Sequence, residues 1–198
     1  MAQRRVAVFI DYQNCRGAAR ESFCELLAAQ QCGQFWPMGL AHTLADLGGP
    51  GYSLSYVGVY SGLPSSTRDP KTYGARRRQI AAWRNTGVTV INRPLRYPRD
   101  WPNVKAEEKG IDVKLAIDAV MMAVRREYDV GVIGSCDTDL APAIEAILDL
   151  KHGAKAAIEV IAWEGRPGRI GVSGVQLVER TVRRTDFDRI RDDTDYNI

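Results

Sequence analysis

Histidine is scarce: His42 and His152 are the only two in 198 residues. Neither falls in a turn that closes a predicted strand, which argues against a histidine pair for acid–base cleavage and against a Ser-His-Asp triad. Cysteine is also sparse. Cys15, Cys24, Cys32 and Cys136 show no C-x-x-C spacing, so neither a zinc site nor a redox pair is indicated, and reduced thiols are expected. The turn after the first predicted strand has no G-x-G-x-x-G, which disfavours a dinucleotide site. Ser135 lacks the G-x-S-x-G surround of a nucleophile elbow. Gln13 stands where an aspartyl-phosphate phosphatase would carry its second acid, and the sixth residue past Cys136 is Pro142, where a phosphate-binding thiolate loop needs arginine. No apolar run approaches the roughly 20 residues of a membrane span. The basic start, Met1 to Arg5, leads into an apolar run that breaks at Asp11, so no signal peptide is expected and the default compartment is cytoplasmic.

What is present is an uneven charge. The chain carries a formal net charge of +3, yet the stretch from Ser66 to Lys105 holds ten Lys/Arg against Asp69 and Asp100, a net of +8. The remainder is therefore net acidic. A polyanion-binding face beside an acidic pocket has this distribution. The basic helix expected from Lys71 to Asn85 places Ile80, Ala81 and Trp83 inward. Lys71, Arg76, Arg77, Arg78 and Arg84 are then candidates for contact with a nucleic-acid backbone, against the plainer reading of a solvated face.

Apolar runs at Arg4 to Ile10, Val88 to Asn92, Val130 to Ile133 and Ala156 to Trp163 read as buried strands. Tyr52 to Tyr60 reads as a further strand. Helices are expected over Ala18 to Ala29, Met38 to Leu47 and Lys109 to Arg126, the last with Val113, Ala116, Ile117, Val120 and Val124 on its inner side. Arg93 to Glu107 contains three prolines with Tyr97 and Trp101, which predicts an irregular flap. The alternation of strands and helices argues an α/β fold, one parallel sheet flanked by helices. Residues 1–187 form one domain in this reading, and 188–198 form a charged tail expected to be disordered.

Acids recur at one predicted edge of that sheet: Asp11 after strand one, Asp112 at the start of the long helix, and Asp137 and Asp139 in the turn of DVGVIGSCDTDLAPAIEAILDL. Ends of strands one and four can be neighbours in a doubly wound sheet. Each acid has a plainer reading as a helix cap or strand end. Gathered together, like charges need a counter-charge, and a divalent cation is the simplest. Asp118 lies six residues past Asp112, on a different side of the helix, and is a weaker candidate with ion-pair duty as its plainer reading.

Phe9-Ile10-Asp11 with Asn14, then Lys109-Gly110-Ile111-Asp112, then Ser135-Cys136-Asp137-Thr138-Asp139-Leu140 resemble the three motifs of NYN domains, PIN-like nucleases of the LabA/DUF88-like group. The resemblance spans roughly residues 4 to 165. It departs at Cys136, where the family usually has glycine, and at Leu140, where it usually has phenylalanine. It implies a PIN-like, Rossmann-like three-layer fold and a metal-dependent endoribonuclease acting through a metal-activated water. It implies Mg²⁺ or Mn²⁺ held by Asp11, Asp112, Asp137 and Asp139, with Asp118 as the weaker ligand. Asn14 matches a polar residue that orients the first acid or the substrate. RNA is the implied partner, no membrane is, and by analogy a homodimer is an expectation. Two alternatives stay open: a catalytically weak RNA-binding or partner-binding module on the same fold, and a phosphatase or nucleotide-binding protein.

Overall fold

The computed structural model describes residues 3–25, 28–29, 31–150, 157–166, 168 and 170–197; His152 and Ala156 lie outside them. In chain order the elements are β1 (Arg4–Asp11), α1 (Tyr12–Phe23), α2 (Pro37–Leu47), β2 (Tyr52–Leu63), α3 (Pro70–Arg84), β3 (Thr89–Pro94), α4 (Ile111–Val124) and β4 (Val130–Gly134). A 3₁₀ turn (Thr138–Leu140), α5 (Ala141–Asp149), β5 (Ala157–Trp163), β6 (Val178–Val182) and α6 (Arg184–Ile190) follow.

The strands form one sheet in the order β3-β2-β1-β4-β5-β6, every pairing parallel. This is the expected α/β three-layer architecture, one parallel sheet between helices. The apolar runs of β1 and β4 are buried on both faces, as central parallel strands must be. One core cluster joins β1 to α1, α2, α3 and α6. The other joins the opposite face to α4 and α5. The chain thus leaves β1 toward one edge, then crosses to begin the other half at β4. No helix among the described residues is long and apolar enough to cross a membrane.

Several expectations need correction. Helix α1 starts at Tyr12, not Ala18, because the Asp11 carboxylate accepts from the Asn14 N–H at 3.1 Å and caps it directly. It ends at Phe23, short of Ala29. Cys24 and Cys32 form a disulfide across a Cα–Cα distance of 6.2 Å, so these two thiols are not reduced. Arg20 donates to the carbonyls of Ala28, Ala29 and Cys32 and folds that loop back on α1, which brings the two sulfurs together.

Helix α3 buries Ala75, Gln79, Ile80 and Trp83, while Ala81 faces outward. Helix α4 buries Ile111, Leu115, Ala119 and Ala123. Of the residues expected inside, Val113 is 55%, Ile117 52% and Val124 49% exposed. Two alanines facing the sheet let the helix sit close, and that closeness turns the valines out.

The C-terminal segment is packed rather than loose. The helix at 184–190 stacks Phe187 on Phe23. Asp192 is buried, and its N–H donates to Gln34 O at 3.0 Å.

Edge strand β6 is tied to β5 and α2 by one buried cation. Arg180 is 2% exposed at its side chain; its Nε meets Glu159, and its Nη1 donates to Leu44 O. Removing one partner strands the other in the interior. Arg180→Met is expected to lose about 3–5 kcal/mol, and Arg180→Met with Glu159→Leu to recover much of it. Urea unfolding of the two variants beside wild type checks this.

Candidate active site

The register pairs Ile10 with Gly134, so Asp11 and the turn 135–139 leave neighbouring strands side by side. Helix α1 locks this junction. The Asn14 side-chain carbonyl accepts from the Cys136 N–H at 2.7 Å, and the Cys15 thiol donates to Gly134 O at 2.9 Å. Asn14 is therefore a positioning residue: its backbone serves Asp11 and its side chain fixes the turn that carries Asp137. Within that turn the Asp137 N–H donates to Ser135 Oγ at 3.1 Å, and the Asp139 N–H donates to Asp137 Oδ1 at 3.0 Å. Ser135 is buried and spent on this bond, which suits a turn-holder and not a nucleophile.

Asp112 arrives from the opposite face of the sheet. Gly110 takes φ 72° as the residue before α4. That left-handed conformation suits glycine, and it turns the chain so that Asp112 lies in the first helical turn at the carboxyl edge of the strands.

Burial and neighbouring charge both act on Asp11. Its carboxyl is pushed up to about 7, first by burial, and then by the charges of Glu108, Asp137 and Asp112; the Asn14 N–H opposes the shift. Three of the four expected acids, Asp11, Asp112 and Asp137, thus share one electrostatic pocket. Asp139 is placed on the 3₁₀ turn with its side chain exposed. Asp118 is elsewhere engaged: it accepts from Tyr60 OH at 2.9 Å and pairs with Lys114. That is the ion-pair duty given above as its plainer reading.

Glu108 is the acid that sequence reading missed. It accepts from the Gly62 N–H at the end of β2. A Cβ at position 62 would stand 2.9 Å from the Glu108 side chain, so the contact exists because residue 62 is glycine. Burial pushes the Glu108 carboxyl up, against the pull of Gly62 and Arg76, and Asp112 adds to the rise. The signal available in the sequence was only its place two residues before Gly110.

Chemically the pocket offers carboxylate oxygens and no imidazole. Hard divalent cations such as Mg²⁺ and Mn²⁺ suit that donor set, and Mg²⁺ takes one or two carboxylates with the remaining positions filled by water. Among the described residues no three His, Cys, Asp or Glu side chains stand close enough to form a ready cage. The set therefore fits a partly hydrated ion by charge and donor type, not a closed protein cage.

The basic residues lie on α3, which begins at the same edge. Lys71, Arg77, Arg78 and Arg84 are exposed and Arg76 is partly covered. Arg78 donates through Nε and Nη2 to Tyr196 O at 2.9 and 2.6 Å, so the C-terminal segment rests on this helix. Arg84 reaches Val90 O at 3.4 Å. The flap is anchored: Tyr97 OH accepts from the Ser65 N–H at 2.8 Å, and Tyr97 packs edge-on to Trp101 at 4.9 Å.

The NYN domain family model matches residues 5–164. No curated protein matches the chain. Among solved structures the chain is similar to a protein of unknown function from Vibrio parahaemolyticus. The two are 19% identical with a TM-score of 0.55, over 83% of this chain and 85% of that one. At that identity the likeness concerns the fold alone.

The raised Asp11 carboxyl carries a pH signature. An unfolded Asp titrates near 3.9, so between about 4 and 7 the folded chain holds a proton that the unfolded chain has released, and stability falls as pH rises across that window. Below it both states are protonated and nothing is lost; above it the full cost, on the order of a few kcal/mol, is present. Asp11→Asn keeps a capping side chain and removes the charge. In EDTA it is expected to unfold at higher denaturant than wild type at pH 8, with the gap closing by pH 4. Denaturation midpoints at the two pH values are the measurement.

Proposed function

The chain belongs to the NYN domain family, a nuclease-like group, and on that premise we propose that it is a metal-dependent endoribonuclease that hydrolyses RNA phosphodiester bonds. The single observation behind the proposal is the placing of Asp11 beside the Asp137 turn by the Ile10–Gly134 register and the Asn14 bond to the Cys136 N–H, with Asp112 in the first turn of α4 at the same edge. A fold does not keep acids together at a sheet's carboxyl edge for stability, since each adds repulsion. Such an arrangement is the signature of a site matched to a cation.

Asp11, Asp112 and Asp137 would hold Mg²⁺ or Mn²⁺, with Asp139 at the outer rim. When bound, the ion supplies a water of lowered pKa and charge neutralisation at phosphorus. The chain's own residues do the rest. Asn14 keeps Asp11 and the Asp137 turn in register. Glu108, held by Gly62, adds negative charge beside Asp112 and stands where a proton can be taken up. Lys71, Arg77 and Arg84 contact the RNA backbone by charge, without reading sequence.

A second reading is an RNA-binding module on this fold with little chemistry, and the lack of a closed three-donor cage among the described residues favours it. Calorimetric titration with Mn²⁺ separates the two, since a module has no need of the ion.

Single-stranded RNA incubated with wild type and Mn²⁺ is expected to be cut, and EDTA to abolish cutting. Asp137→Asn should lower the rate roughly a hundredfold or more, because losing a metal-holding carboxylate costs at least as much as losing its outer partner. Cleavage that survives both EDTA and Asp137→Asn would falsify the metal-dependent reading.

A further inference from the structure

The flap between β3 and α4 forms, with the loop before α3, a cleft of about 500 Å³ lined by Arg68, Tyr97, Pro98, Arg99 and Trp101. We propose that this cleft is a stacking site for an unpaired nucleobase, and that the RNA bound by this protein is accordingly single-stranded. The proposal deepens the ribonuclease reading: it rests on that reading for the nucleic acid, and on the cleft itself for the base.

Two aromatic rings and two guanidinium groups make the walls. Tyr97 meets Trp101 edge-on at 4.9 Å, and the Arg68 guanidinium lies 5.4 Å from the Tyr97 ring centre. Hydrogen bonds fix the shape: Tyr97 OH accepts from the Ser65 N–H, and Ser65 Oγ accepts from the Thr67 and Arg68 N–H groups at 3.3 and 3.2 Å. Among the described residues, neither ring belongs to the two cores or to the apolar side chains packed on them. Both stay partly exposed. Rings held apart from any core, in a cationic surround, are what a stacking platform for bases requires. Nearby acids do not engage these cations. Asp69 caps α3 through the Thr72 N–H at 3.2 Å, and Asp100 is not a wall of the cleft. Arg68 and Arg99 enter no ion pair among the described residues. A base stacked here leaves its phosphate to the guanidinium donors.

The stem of the flap ties it to the edge that carries the acids. Asp11 pairs with Tyr60 in the sheet register. Just beyond that level the Leu95 N–H donates to Leu63 O at 3.0 Å, and Arg96 and Glu107 exchange two backbone bonds of 2.9 Å. The next residue, Glu108, turns back to the Gly62 N–H. The flap thus rises from the same carboxyl edge as Asp11, and cleft and acidic pocket serve one bound chain. In a duplex each base is already stacked and paired, and its face is closed to the cleft.

The full chain is titrated in EDTA with a uridine-rich single-stranded RNA, with the same RNA in a duplex, and with an abasic ribose-phosphate chain of equal length. Affinity and tryptophan emission are both read. The single strand is expected to quench the emission, and the other two, which offer phosphates without free bases, to leave it unchanged. Trp101→Phe keeps a ring, so it should retain binding and lose the quenching. Trp101→Ala should weaken single-strand binding about tenfold, the usual scale for one stacked base, and leave duplex binding as it was. Quenching by the abasic chain, quenching that survives Trp101→Phe, or equal weakening of single strand and duplex by Trp101→Ala overturns the stacking site. Should Trp101→Ala fail to fold, the emission of Trp101→Phe decides alone. Quenching in EDTA with no cleavage once Mn²⁺ is added leaves this site standing while the ribonuclease reading fails. Cleavage by a protein that shows no quenching does the reverse.

Discussion

The parallel pairing of β1 with β4 is the constraint on which everything else depends. Strand order reverses there, so the helices that follow β1 and β4 go to opposite faces and leave a crevice at the carboxyl edge. A slip of one residue would turn every side chain of β1 to the other face. The Ile10–Gly134 register is accordingly held twice beyond the strands, by Asn14 on the Cys136 N–H and by Cys15 on Gly134 O. Both clamps come from the first turns of α1, which Asp11 itself caps. The residue most central to the site also starts the helix that fixes the site.

Electrostatics then oppose what packing imposes. Asp11 is 7% exposed at the end of a strand buried on both faces, and three more acids act on it. Backbone N–H groups relieve part of this: Asn14 serves Asp11, Gly62 serves Glu108 and Asp139 serves Asp137. Hydrogen bonds of this kind favour the ionised forms. They do not remove the mutual repulsion, which the well-filled cores on either side of the sheet must outweigh.

Much of this was legible from residues alone, for identifiable reasons. Val130 to Gly134 is an unbroken apolar run ending in small and acidic residues, so strand, turn and Asp137 could be placed together. Asp11 announced itself as the polar end of VAVFI. Glu108 was illegible because its partner, Gly62, is 46 residues away, and only the glycine lets it approach. The face of α4 was misread because valine outranks alanine in hydrophobicity, whereas Ala119 and Ala123 are the residues whose size permits contact with the sheet. The disulfide depends on Arg20 folding the loop back, a three-dimensional cause with no trace in cysteine spacing. The order of the C-terminal segment follows from Asp192 and Tyr196 finding Gln34 and Arg78, contacts that a charge-rich composition conceals.

The two charged regions constrain one another. The acidic pocket takes Asp11 and Asp137 from the sheet edge and Asp112 from α4, while the cations lie on α3 across the sheet. Glu108 and Arg76 are where the two meet. On the proposed function, a polyanion drawn in by α3 would be driven off by the bare pocket, since the fields of the two regions act on it with opposite sign. The basic helix alone therefore cannot seat a phosphate against Asp11 and Asp137. On the proposed function a cation in the pocket reverses the local sign, so that ion and RNA each raise the affinity for the other by the same factor. The separation of the two regions by rigid elements keeps them from neutralising each other, and in that proposal occupancy of one would be a condition for the use of the other.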